Sequence, residues 1–308
     1  MKEKSKQGLG TALIIIAGIF WGSMGIFVRK LTSEGFNSIQ IVAIRLTLAA
    51  FLFCIILLIK DRKGFKISLK DIFLFLGLGL GSILFFTVCY FTAITLMSLS
   101  TAAILLYTSP VWIMLMSVWF FKEKMNAGKI IALAAAFTGC VLVSGISAEK
   151  ISILGILVGL GSGIGYALYS ILGTVALRKY TPYTVTAYTF LTASIGSWVI
   201  CRPADMISKF YHSNHLPTLL FFCLLTAVVT AVIPFLAYTL GLENIEAGKA
   251  GILATIEPLV ATLIGVIVFR EPITILSGLG ILLILAAVIV LNIKNTSEKA
   301  GDDSNGFN

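Results

Sequence analysis

The stretch Lys249–Glu271, KAGILATIEPLVATLIGVIVFRE, decides the fold. It is long enough to cross a bilayer and apolar almost throughout, yet Glu257 and Pro258 sit in its middle. A carboxylate at that depth is costly, and proline removes a backbone donor where lipid offers no water in its place. A second copy of the pattern, STAAILLYTSPVWIMLMSVWFFKE, lies 148 positions earlier, with Pro110 matching Pro258 and Glu123 matching Glu271.

Working outward, the same offset of 148 brings nine identities without a gap across 90–123 and 238–271. Tyr90/Tyr238, Pro110/Pro258 and Glu123/Glu271 carry the weight, with Lys122 set against Arg270. The shared Leu and Val carry little, because apolar helices match one another by chance.

The whole chain has this character. Its 308 residues are 58% hydrophobic and 12% charged, against roughly 25% charged in an average soluble domain. Mean hydropathy is +1.01. A soluble chain of this size needs a polar surface, and this composition does not supply one. The apolar residues fall in blocks of roughly 18 to 25, the length that spans a membrane. Ten spans are expected, at about 9–28, 39–59, 71–91, 99–121, 127–145, 151–173, 183–201, 216–240, 249–269 and 273–292. The seventh is rich in Thr and Ser, which suggests a surface wetter than lipid. The segment at about 202–215 reads as the longest loop, and the polar stretch 294–308 as a disordered cytoplasmic tail.

The net charge of +9 does not point to nucleic acid, because the charges lie in the breaks between apolar blocks. The five Cys form no CxxC pair and read as small apolar residues, so neither a metal nor a disulfide framework is expected. With the N-terminus inside, sixteen Lys and Arg fall on cytoplasmic segments and six on external ones, which places both termini in the cytoplasm.

The offset of 148 spans five of the ten helices. Five is odd, so the second half enters the membrane with the opposite orientation. The expected architecture is an all-α integral membrane protein built as a 5+5 inverted-topology repeat. Residues 1–148 form the first half and 149–293 the second. Many alternating-access transporters are built this way, since one fold inserted both ways supplies an inward-open and an outward-open shape.

The chain resembles the drug/metabolite transporter superfamily, in its EamA-type ten-helix branch. The marks are Trp21-Gly22, Arg45, the Pro110 span closing in Phe121-Lys122-Glu123, and the Pro258 span closing in Phe269-Arg270-Glu271. The resemblance covers about residues 9–293. It implies a central cavity carrying amino acids, metabolites or related small solutes across the cytoplasmic membrane, often outward.

Glu257 lies near the bilayer midplane, where repeat transporters bind substrate. Three roles are open: holding a substrate amine, carrying a proton, or pairing with a basic residue. Its repeat mate Ser109 is also expected in the site, and the fold does not require the charge in both halves. Arg45 is the one basic residue well inside a span. It can hold a substrate carboxylate, meet an internal acid, or snorkel outward. Trp21, Tyr90, Tyr107, Tyr166 and Tyr238 are the expected cavity lining, since each has a polar handle that hydrocarbon leaves unmet. Pro110 and Pro258 are expected to break their helices, which suits either gating or a static kink. Glu123 and Glu271 read as gating ion pairs or as ordinary interfacial charges. The glycines of the sixth span, spaced four apart, suit close helix packing.

No phosphate loop, zinc spacing or nucleophile constellation appears, so no catalytic residue and no cofactor is expected. The expected partners are a small solute, membrane lipid and a coupling proton. A membrane enzyme acting on lipid would need a polar catalytic cluster near one surface. A sensor or scaffold subunit would need an extra domain or an extended loop. Neither feature is present in the sequence.

Overall fold

A computed structural model describes residues 2–97, 99–145, 152–201, 203–213, 215–270 and 272–302. Glu271 lies outside them. Among the described residues every regular element is a helix. In chain order these are α1 (Ser5–Ser33), α2 (Ser38–Lys60), α3 (Leu69–Leu96), α4 (Thr101–Phe121), α5 (Ala127–Ser144) and α6 (Ile153–Leu177). Then follow α7 (Pro182–Ile200), α8 (Pro203–Tyr211), α9 (Leu216–Leu242), α10 (Ala247–Phe269) and α11 (Ile275–Asp302).

Eight of these are long and apolar enough to cross a membrane, and α7 with α8 would make a ninth. The apolar part of α11, Ile275–Leu291, is shorter. The chain is a multi-pass membrane protein. Ten spans were expected; eight or nine meet the length and composition of a span, and α11 continues as helix past residue 294, where a disordered tail was expected.

The polar breaks of the sequence are where the helices start, because a side chain there takes up the first turn's free N–H. Asn37 and Gln40 cap each other ahead of α2. Asn126, Ser152 and Thr181 accept from the third residue onward at α5, α6 and α7.

The expected loop at 202–215 instead folds into α8, turned 93° from α7. Met206 on α8 is buried with Leu31, Phe36, Ile41 and Leu219, so an apolar face spaced for a helix pulls the segment down onto the bundle. The Thr/Ser-rich seventh span was expected to line a wet surface. In the structure α7 packs against α2 and α3. The Ser194 and Thr47 hydroxyls share a hydrogen bond (3.0 Å), and Thr192 Oγ1 donates to the Phe75 carbonyl (3.0 Å). They join helices to one another.

The helix pairs recur at a shift of five expected spans. α3 packs on α6 as α9 packs on α1, and α4 packs on α6 as α10 packs on α1. α2 pairs with α7, α5 with α11, and α4 with α10. Local irregularities recur too. α3 widens to a π-helix at Gly77–Leu84, and α9 does so at Val228–Val232, inside the 148-residue image of the first. Lys122 and Arg270, also 148 apart, both end their helices in the left-handed region, at φ 57° and 55°.

At the α5–α11 contact the backbones nearly touch. A Cβ on Gly139 would lie 2.8 Å from the Gly280 carbonyl oxygen, and one on Gly280 2.6 Å from that of Gly139. Backbone cannot give way as a side-chain tip can. Gly139→Ala or Gly280→Ala is therefore expected to cost about 1–3 kcal/mol, read as a lower Tm of the purified protein.

Candidate functional site

Each half of the bundle carries a span broken in two. α4 breaks between Leu106 and Ser109, and α10 between Leu253 and Ile256. The breaks fall just before Pro110 and Pro258. At each break a threonine bonds back to the same carbonyl through both N–H and hydroxyl, with Thr108 Oγ1 donating to the Leu105 carbonyl and Thr255 Oγ1 to that of Ile252 (both 2.6 Å). The second half of α10 therefore begins inside the bundle, and Glu257 lies in its first turn. There the partial positive charge of the helix end favours a carboxylate.

Gly22 lets α1 approach that break. A Cβ on it would lie 2.7 Å from the Glu257 carbonyl oxygen and 2.7 Å from Val260 Cβ. The approach brings Trp21 and Glu257 to one cavity of about 360 Å³. Its lining includes Trp21, Arg45, Tyr90, Tyr107, Tyr166 and Glu257. The cavity lies toward the Val28, Ser38 and Ile94 ends of α1, α2 and α3.

Arg45 enters from α2 and is only 5% exposed. Its Nη1 donates to Met24 Sδ at 3.2 Å, a soft and weak acceptor. Its Nε has no hydrogen-bond partner among the described residues. No ion pair joins Arg45 to Glu257 among the described residues. A basic and an acidic side chain thus line one cavity with no ion pair between them.

Below them is an aromatic floor. Trp21 meets Phe235, Tyr238 and Tyr166 at ring-centroid distances of 5.0, 5.3 and 6.1 Å. Tyr238 was expected in the lining. It lies behind Trp21, 1% exposed, with its hydroxyl paired to Ser170 Oγ at 2.7 Å. Ser109, also expected in the site, is buried at the start of its half-helix and does not line the cavity. Conversely, Met24, Thr226 and Thr230 line it without having been expected. The two threonines donate to the Phe222 and Thr226 carbonyls, so toward a solute they offer acceptor lone pairs. Their spacing of four residues was visible in the sequence, but which neighbour that face meets was not.

At the opposite end of the bundle, charged side chains tie helices together. Glu123 was read as part of a gating ion pair or as an interfacial charge; its carboxylate accepts the backbone N–H groups of Ala247 (3.1 Å) and Gly248 (3.3 Å), capping the first half of α10. The ion pair at this end joins Lys129 to Glu246, and Lys129 Nζ also donates to the Lys124 carbonyl at 2.9 Å. Burial, together with the charge of Glu246, pushes the Glu123 carboxyl up. A carboxyl raised in this way stabilises fully below the ordinary value of 4.5, and that contribution is lost as pH rises through the raised value. Amide exchange over Ala247–Leu253, corrected for intrinsic rates, is expected to quicken as pH rises above the ordinary value of 4.5. Glu123→Ala removes that pH dependence and costs this end about 0.5–2 kcal/mol.

The EamA-like transporter family matches residues 8–145 and 153–293. An uncharacterized transporter of Archaeoglobus fulgidus is 30% identical over 285 residues, covering 91% of this chain and 95% of that one. The uncharacterized transporter YwfM of Bacillus subtilis is 26% identical over 303 residues, covering 96% and 98%. A crystal structure at 16% identity superposes with a TM-score of 0.77 over 92% of this chain and 96% of that chain, a likeness of fold. Matched along both halves and by a relative over nearly its whole length, the chain belongs to the EamA-like transporter family.

Proposed function

We propose that the chain is a secondary transporter that moves small zwitterionic solutes, amino acids or related metabolites, across the cytoplasmic membrane and exports them. The observation that carries this reading is the pair Arg45 and Glu257, opposite charges facing one aromatic-walled cavity of about 360 Å³ without an ion pair between them. The guanidinium suits a carboxylate, the carboxylate suits an amine, and the rings suit an apolar body. The volume is in the range of about 300–1,000 Å³ that small-molecule sites occupy.

Alternating access of two inverted five-helix halves is the mechanism in this reading. Its support is the recurrence of helix pairs, π-helical stretches, broken spans and left-handed caps at the repeat offset. The separate family matches to the two halves add to it. Ten spans, with α11 as the last, and cytoplasmic termini complete the reading, the latter on the Lys/Arg bias. In that topology the described state is closed at the cytoplasmic end, where Lys129 meets Glu246. Glu257 serves as substrate ligand and as the site of a coupling proton.

The test is flux in proteoliposomes with a panel of labelled amino acids, with and without a proton gradient. Saturable flux of at least one zwitterion, competed by others, supports the proposal. No flux of any panel member above protein-free vesicles overturns it.

A further inference from the structure

The closed end holds a second cavity, of about 680 Å³, separate from the aromatic one. Lys249, in the first half of α10, lines it and is 7% exposed. Two of the three acids in the same lining are engaged elsewhere. Glu246 pairs with Lys129, and Glu123 accepts the N–H groups of Ala247 and Gly248. The Lys249 ammonium has no hydrogen-bond or ion-pair partner among the described residues. A buried charge left in that state is expensive, and it is relieved only by an anion or by water.

The rest of the lining sets the charge of what fits. Lys122, Lys124 and Arg178 join Lys249, against Glu123, Glu243 and Glu246. Glu246 is already paired with Lys129, so the four cations of the lining face two unpaired acids, an excess of positive charge that suits an anion. Arg178 is held over the Phe121 ring, 5.2 Å from its centroid, which fixes its guanidinium at the rim.

We propose that this cavity is an anion-binding site, in which Lys249 Nζ takes a monoanionic oxygen group, a carboxylate or a phosphodiester. That chemistry belongs both to free solutes and to anionic lipid headgroups, and the experiment separates the two. It goes beyond the transport reading: it concerns binding at the closed end and stands or falls without any flux measurement.

The full chain is purified in detergent and titrated with propionate and with dimethyl phosphate, following Tm and calorimetric heat. In parallel it is placed in nanodiscs of phosphatidylcholine with or without phosphatidylglycerol, and retained phosphatidylglycerol is counted by native mass spectrometry. Wild type is expected to bind at least one of these probes. Lys249→Met is expected to weaken that binding at least about tenfold, the loss of a charged hydrogen bond, and Lys249→Arg to retain it. Binding of the free anions alone assigns the site to a solute, and of phosphatidylglycerol alone to a headgroup; either outcome supports the proposal. Without any probe, Lys249→Met is expected to melt no lower than wild type, since it removes an uncompensated charge. Equal binding by wild type and Lys249→Met overturns the proposal. Should Lys249→Met fail to fold, the wild-type titrations decide: no binding of any probe overturns it as well, and binding must then fall in Lys249→Gln.

Discussion

Glu257→Gln is expected to cut zwitterion flux by about 10- to 150-fold, the equivalent of losing a charged hydrogen bond of about 1.5–3 kcal/mol. Gln keeps the shape of the side chain and its place in the first turn of the half-helix, so position is preserved and only the charge and the titratable proton are lost. Two readouts separate the roles assigned to the residue. If it holds the amine, KM rises and solutes lacking an amine are spared. If it also carries the proton, the response of flux to a pH gradient disappears in the variant. The protein is expected to reach the membrane in normal amounts, because a neutral amide at this depth costs less than a carboxylate. Flux kinetics identical to wild type across pH would remove Glu257 from the mechanism.

Arg45 gives the second large effect. Arg45→Gln is expected to lose transport of carboxylate-bearing solutes by a similar factor of about 10- to 150-fold. Arg45→Lys is expected to recover little, because an ammonium does not present the planar fork that matches a carboxylate. Arg45 lines the cavity and has no ion-pair partner among the described residues, which is why this side chain is assigned to a ligand rather than to an internal contact. The pair also makes a joint prediction. If Arg45 and Glu257 grip opposite ends of one solute, the double variant Arg45→Gln/Glu257→Gln loses less than the product of the single losses, as coupled residues do. Full additivity in the flux ratio would mean that the two charges serve separate steps.

The sequence alone carried the architecture a long way. Block length and composition specify membrane helices, because a span must be apolar over a bilayer's thickness. Pro110, Pro258 and the terminal basic–Glu pairs mark recurring breaks and caps, because backbone chemistry at these points is local. The depth of Glu257 and Arg45 was legible for the same reason: a charge inside an apolar run stands out whatever surrounds it.

Facing was not legible. In a soluble helix the polar side reveals the solvent, but here lipid and helix interface are both apolar, so the pattern of a span is nearly the same all round. Only tertiary packing put Tyr238 behind Trp21, buried Ser109 away from the cavity, and turned Thr226 and Thr230 into it. It also turned the hydroxyls of α7 toward α2 and α3, and folded α8 from an expected loop. The same limit applies at the closed end. Lys129 and Glu246 are 117 positions apart, and their pairing depends on how helices assemble. With Glu246 held by Lys129, Lys249 has no ion-pair partner among the described residues. The sequence by itself determined which residues are costly in a membrane; the tertiary structure decided which costs are met within the chain, and which are left to a ligand.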